Sequence, residues 1–283
     1  MIVYTRKFNK DIFMRKMRPS RVLAKLRAGE VATCFKINLS DARVVEIAAQ
    51  AGFDCLWTCL EHVPNDISVM EKAVWAAKSC DTDIVVRVPR GSYSDYIRPL
   101  ELDATGIMVP HCMSAADAAE VVRMTRFHPI GLRPMDGGNA DAAYCSVPIP
   151  DYMKQANEQR LVILQIEDPE ALEELDAIAE LPGIDMLFFG PGDFSQGIGA
   201  PGVMDDPRLL EARRKVAATA LKHGKFAGTT TSAANLNEFI DMGYRFLSMG
   251  ADVIGLSRYC TQIVETFSGS QSLAVAGGLY AEK

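Results

Sequence analysis

Short apolar runs recur along the chain, each followed by a segment whose apolar positions fall at helical spacing. VATCFKI (31–37), CLWTC (55–59), IVVRV (84–88), GIMVP (106–110), Leu161–Glu167, Met186–Gly190, FAGTTT (226–231) and FLSMG (246–250) read as strands. They are nearly continuously apolar rather than alternating, the pattern of parallel strands covered on both faces. Between them the spacing predicts helices around Val44–Ala51, Ile67–Ala77, Tyr93–Leu102, Ala115–Arg126, from Asp206-Pro207 to His223, from Ser232, and over Ala251–Phe267. Ser40 and Asp168-Pro169 carry helix-start chemistry, an oxygen-bearing cap and a proline in the first turn. About eight strand–helix units predict a (β/α)8 TIM barrel. The run Phe127–Ser146 breaks the rhythm and reads as irregular. The expected division is a leader and helix over 1–30, one catalytic barrel over 31–268, and a weakly ordered Gly/Ser/Ala-rich tail over 269–283.

Composition narrows the function classes. The 283 residues are 48% hydrophobic and 23% charged, enough for an ample core. A net charge of −6 gives no basic footprint for nucleic acid or an anionic membrane surface. No run approaches a membrane span, and the basic N-terminus lacks the apolar core of a secretory signal. Seven scattered cysteines without a CxxC pair point to reduced thiols and a cytoplasmic protein, with Cys34, Cys55, Cys80, Cys112 and Cys260 expected to be buried.

Polar residues gather where strands end, the face that carries chemistry in such barrels. Glu61 and His62 follow CLWTC, Arg87 lies in IVVRV, and His111 follows GIMVP. Gln165 and Glu167 sit on one side of their strand, Asp193 lies in GPGDFS, and Thr229, Thr230 and Thr231 close FAGTTT. Singly, Glu167 reads equally as a helix-start acid, Asp193 as a turn residue and His62 as a surface histidine. Together they describe a site. Two carboxylates suit a hard divalent ion, Mg²⁺ or Mn²⁺ with Co²⁺ possible, and the lack of a Cys/His cluster speaks against structural zinc. Arg87 would take a substrate carboxylate, helped by the amides of Gly192 and Asp193. A metal-polarised 2-oxo acid can form an enolate, and a histidine can move the proton.

At these residues the chain resembles the HpcH/HpaI family of metal-dependent class II pyruvate aldolases, whose fold is a TIM barrel of the phosphoenolpyruvate/pyruvate type. The resemblance runs from about Ser20 to Phe267 through AGFDCLWTCLEHVPND, VVRV, TGIMVPH, TRFHPIGLRP, QIE and GIDMLFFGPGDFSQGIG. It implies that Glu167 and Asp193 hold the metal, that His62 is the catalytic base, and that Arg87 holds the 2-oxo acid carboxylate. It further implies that Gln165 sits beside the metal, that Thr230 contacts the aldehyde, and that Glu101 reaches a neighbouring subunit's site. The implied assembly is a homo-oligomer, usually a hexamer of paired subunits, with the C-terminal helix Ala251–Phe267 exchanged between them. The implied reaction is reversible cleavage of a 4-hydroxy-2-oxo acid to pyruvate or hydroxypyruvate and an aldehyde. Oxaloacetate decarboxylation, an enolate condensation, or a barrel that binds a 2-oxo acid without turnover are the alternatives. Lys36 is the only strand lysine that could pose as a Schiff-base residue.

The chain departs from the family pattern at Cys59, where relatives carry an aspartate that pairs with the histidine. It departs again in PMDGGNADAAY, where Asp136 and Asp141 replace a basic and aromatic set, and at Thr230, usually aliphatic. These positions suggest an acidic acceptor side suited to a neutral, hydroxylated aldehyde.

Overall fold

A computed structural model describes residues 16–269. Its strands are β1 Ala32–Lys36, β2 Cys55–Cys59, β3 Asp83–Arg87, β4 Gly106–Val109, β5 Leu161–Ile166, β6 Met186–Phe189, β7 Phe226–Thr231 and β8 Phe246–Ala251. They pair in sequence order, all parallel, and β8 returns to β1, so the expected (β/α)8 barrel closes without an exposed edge. The helices are α1 Arg21–Arg27, α2 Ala42–Gln50, α3 Ile67–Ser79, α4 Tyr93–Glu101, α5 Ala115–Thr125, α6 Ile149–Gln159, α7 Leu175–Glu180, α8 Pro191–Gly197, α9 Pro207–Lys222, α10 Leu236–Asp241 and α11 Asp252–Gly269.

The pleat of each strand divides its side chains between two cores. Leu56, Ile84, Val86, Ile107, Leu164 and Leu187 pack outward against the helices. Cys34, Cys55, Trp57, Val85, Met108, Ile163, Met186, Phe188 and Phe246 fill the barrel. Trp57 meets Phe188 edge-on at 5.5 Å between ring centroids, which makes a floor beneath the C-terminal mouth. α1 joins the barrel core through Val22, Leu23 and Leu26, and its Ser20 cap donates to Asp83 at the start of β3. Residues 1–15 and the tail beyond Gly269 lie outside the described residues.

The run after α5 is irregular, as its sequence suggests, with Ala143, Tyr144 and Cys145 all in the left-handed region. It is held at the N-terminal end of the barrel by a buried charge network. Asp141 accepts from Arg160 Nε at 2.7 Å, Arg133 Nη2 at 3.1 Å and the Tyr152 hydroxyl at 2.9 Å. Arg160 and Lys78 both pair with Asp103, and Arg18 pairs with Asp83 at 2.8 Å. Asp141 is 1% exposed and neutralised from two sides, which corrects its reading as an acidic acceptor-side residue. Asp136 is exposed on the same run.

Other expectations change as well. The helix expected from Ser232 begins at Leu236, because Asn235 accepts from the Ser232 N–H and closes a turn first. Cys260 is exposed on α11 and Cys80 is only half-buried, whereas Cys34, Cys55 and Cys112 are buried. The thiols of the described residues are all free. The start of α11 is tied down by Asp252, which accepts from the Asn38 and Leu39 N–H groups. From Val253 to Phe267 every residue except Ile263 is exposed, including Ile254, Leu256, Tyr259 and Phe267. No helix among the described residues is long and apolar enough to cross a membrane.

Candidate active site

Arg87 closes β3 and points into the barrel mouth, 4% exposed. A buried guanidinium needs anionic or hydrogen-bonding partners. Its Nε lies 3.0 Å from Glu61 Oε2, and Nε and Nη2 donate to Cys59 Sγ at 3.4 and 3.3 Å. Cys59 Sγ also accepts the backbone N–H groups of Glu61 and His62. The Cys59 thiol therefore closes the turn after β2 and aims Arg87. His62 stands at the rim, its ring half-exposed and Nε2 3.5 Å from Glu61 Oε2, so its nearest carboxylate is Glu61. Cys59→Ala removes two bonds from Arg87. It is expected to raise KM for a 2-oxo acid about tenfold with a smaller change in kcat, checked by steady-state kinetics against Cys59→Ser.

Glu167 follows β5 and is 2% exposed. Its Oε1 accepts the His111 N–H at 3.0 Å and its Oε2 accepts Gln165 Nε2 at 2.7 Å. Burial pushes its carboxyl up to about 7; the His111 N–H and ring oppose that shift and Asp193 adds to it. A side chain at Gly190 would place its Cβ 2.4 Å from Glu167 Oε2, so this carboxylate occupies space that only glycine leaves open. Gln165 Oε1 is buried and has no hydrogen-bond partner. Asp193 is exposed in the first turn of α8. GPGDFS is thus a helix start with proline in its first turn, where the sequence reads as a loop.

His111 takes a left-handed backbone (φ 52°), which turns its N–H toward Glu167 and its ring toward Asp168. Nδ1 lies 3.1 Å from Asp168 Oδ2, and Nε2 lies 3.7 Å from Glu61 Oε1. Burial disfavours the charged ring, but Asp168, Glu167 and Glu61 outweigh it and hold His111 above the ordinary histidine range. Asp168, expected to cap the turn Pro169–Leu172, makes no side-chain cap there; its carboxylate meets the His111 ring instead. Thr230 lies half-buried on β7 in the inward-facing row, while Thr229 is buried and donates to the Phe189 carbonyl at 3.0 Å. Glu101 ends α4 at the opposite end of its own barrel, near Arg133, Asp136 and Asp141, and burial raises its carboxyl pKa. A part for Glu101 in catalysis therefore requires a neighbouring subunit.

The mouth thus collects Glu61, His62, Arg87, His111, Gln165, Glu167 and Asp193 from five strand–helix connections. Glu61, Asp168 and Lys36 are functional candidates whose weight the sequence alone does not reveal. The signal for Glu61 was its place beside His62; Lys36 was visible as a lysine inside a strand.

Comparison with known proteins identifies the family of the chain. The profile of the HpcH/HpaI aldolase/citrate lyase family matches residues 33–258. A 4-hydroxy-2-oxo-heptane-1,7-dioate aldolase of Shigella boydii is 31% identical over 258 residues, covering 91% of this chain and 98% of that one. A hydroxypyruvate/pyruvate aldolase of Pseudomonas aeruginosa is 31% identical over 251 residues, covering 88% and 93%. The crystal structure of an HpcH/HpaI aldolase from Desulfitobacterium hafniense superposes with a TM-score of 0.83 at 28% identity, covering 88% of this chain and 97% of that one. Barrel, strand-end chemistry and sequence thus lead to one place: the chain belongs to the HpcH/HpaI aldolase/citrate lyase family.

Proposed function

We propose that the protein is a divalent-metal-dependent carbon–carbon lyase that reversibly cleaves a 4-hydroxy-2-oxo acid to pyruvate or hydroxypyruvate and an aldehyde. The observation that carries this reading is a buried carboxylate, Glu167 after β5, at the same barrel mouth as Arg87 on β3 and Asp193 in the first turn of α8. The names of the related aldolases support the bond cleaved; the aldehyde is open at 31% identity.

The residues fit the ion. Glu167, Asp193 and the unpartnered Gln165 Oε1 offer hard oxygen donors, which suits Mg²⁺ or Mn²⁺, with Co²⁺ next. Among the described residues no group of three or more His, Cys, Asp and Glu side chains is arranged to hold a metal ion, so substrate and water would complete the coordination. When bound, such an ion supplies Lewis acidity at the 2-oxo carbonyl. Arg87 has Nε and Nη2 held by Glu61 and Cys59, which leaves Nη1 for the substrate carboxylate. Gln165 steadies Glu167, and Thr230 faces the aldehyde half. His62 takes the proton from the 4-hydroxyl in cleavage and returns it in addition. His62→Asn is expected to lower kcat for cleavage by about 10²–10⁴-fold. His111→Asn tolerates the left-handed backbone and provides the control; a large loss there with His62→Asn unaffected would move the proton transfer to His111.

We place the enzyme in the cytoplasm as a homo-oligomer. The exposed apolar residues of α11 support an exchanged helix, and the free thiols support a reducing compartment. Light scattering on the purified chain is expected to give a multiple of 31.0 kDa, a hexamer on the family's pattern; a monomer across the micromolar range would contradict it.

The functional test is pyruvate release from 4-hydroxy-2-oxo acids and from oxaloacetate, with Mg²⁺ or Mn²⁺ and with EDTA. Aldolase activity releases pyruvate from the hydroxy acids in a metal-dependent way. Release from oxaloacetate alone would indicate a decarboxylase, and neither would overturn the lyase reading.

A further inference from the structure

Lys36 ends β1 in the same inward-facing row as Ala32 and Cys34, opposite Trp57 on β2. Its Nζ lies 4.8 Å from the centre of the Trp57 ring, whose surroundings also hold the Arg87 guanidinium at 5.1 Å. The two cations are not equivalent. Arg87 is ion-paired with Glu61, whereas Lys36 has no hydrogen bond or ion pair among the described residues. The acids around it are spoken for, since Glu61 holds Arg87 and Asp193 is assigned to the ion. Burial first, and Arg87 second, pull the Lys36 ammonium below the ordinary lysine range, so the site strains against this charge. An aromatic face compensates a half-buried ammonium only in part; an anion compensates it better. The indole Nε1 of Trp57 is likewise buried without a partner.

We propose that Lys36 is a specificity-determining residue that takes an anionic oxygen group, carboxylate or phosphate, carried by the substrate beyond its 2-oxo acid end. The proposal rests on the 2-oxo acid reading above. It also reverses the expectation of a neutral partner, one support of which fell when Asp141 proved to be buried in the charge network at the other end of the barrel. Thr230, inward-facing and polar, suits such a substrate as a hydroxyl donor.

Trp57 provides the readout, because the only other tryptophan, Trp75, is 52% exposed on α3 and can be removed as Trp75→Phe. Ligand binding is followed by Trp57 fluorescence in that background with Mg²⁺ present, for Lys36, Lys36→Met and Lys36→Arg. The ligands are pyruvate and two pairs that differ in one anionic group: 2-oxopentanoate with 2-oxoglutarate, and hydroxypyruvate with 3-phosphohydroxypyruvate. With Lys36 the charged member of at least one pair is expected to bind about tenfold more tightly, and the pair identifies carboxylate or phosphate. Lys36→Met is expected to abolish that preference while leaving the pyruvate Kd within about twofold, and Lys36→Arg to restore it in part. A preference that survives Lys36→Met, or no preference with Lys36 present, overturns the proposal. So does an equal weakening of pyruvate, which would place Lys36 at the shared 2-oxo acid end. If pyruvate binds to none of the three proteins, the 2-oxo acid reading falls and this one with it.

Discussion

Glu167→Gln is expected to lower pyruvate release by at least about 10³-fold and at the same time to stabilise the metal-free protein. The loss follows from removing one of two carboxylates assigned to the ion, while glutamine keeps the size of the side chain and an oxygen for the His111 N–H. The stabilisation follows from the carboxyl's environment. Burial holds Glu167 up at about 7 in the folded state, above an unfolded value near 4.5. A buried acid with a raised pKa penalises folding once it ionises. The penalty is absent below the unfolded value, grows as pH rises between the two, and is complete above about 7. Glutamine removes it, a gain of about 1–3 kcal/mol at pH 8 and none at pH 4. Melting of both metal-free proteins at the two pH values checks the sign. Equal melting at pH 8 would mean that a partner other than the ion already compensates the charge. An active, metal-free Glu167→Gln enzyme would remove Glu167 from the mechanism.

Asp141→Asn is expected to do the opposite, lowering stability by about 3–5 kcal/mol while sparing catalysis. The Asp141 side chain is fully buried, and its carboxylate is the ion-pair partner of Arg133 as well as one of two for Arg160. Asparagine fills the space but leaves a buried guanidinium without its anion, the costliest way to break such a network. In a domain of this size the melting midpoint should fall by about 6–20 °C. Because the network lies at the N-terminal end of the barrel, kcat/KM of the folded fraction should change less than about twofold. Intact stability with altered acceptor preference would return Asp141 to the acceptor side, supplied to a neighbouring subunit.

The contrast between these residues shows what was legible in the sequence. The barrel was readable because parallel strands covered on both faces are apolar throughout, and each ends where its polar residue begins. Arg87, Glu167 and Asp193 stood out by that same change of character. The distinction between a site acid and a structural acid did not. Asp141 lies in the run PMDGGNADAAY, which resembles a surface loop, and its partners Arg133, Tyr152 and Arg160 reach it only through the fold. α6 was not predicted, and Pro148 and Pro150 stand at its start, where proline is tolerated. α8 was missed because Gly-Pro-Gly-Asp is also turn chemistry. His111 could not be assigned from its place after β4, since its role depends on a left-handed backbone and on Asp168 from the next strand. Cys59 could be read as a lost carboxylate, but not as the sulfur that aims Arg87.

The central claim is that the mouth makes an enolate from a 2-oxo acid with a divalent ion held by Glu167 and Asp193. It is tested most directly without any aldehyde, by proton NMR of pyruvate in D₂O. The enzyme with Mg²⁺ or Mn²⁺ should exchange the methyl protons of pyruvate for deuterium. EDTA and Glu167→Gln should each stop the exchange. Exchange that persists in EDTA, together with covalent labelling of the protein by pyruvate and borohydride, would contradict the claim and put the chemistry on a lysine.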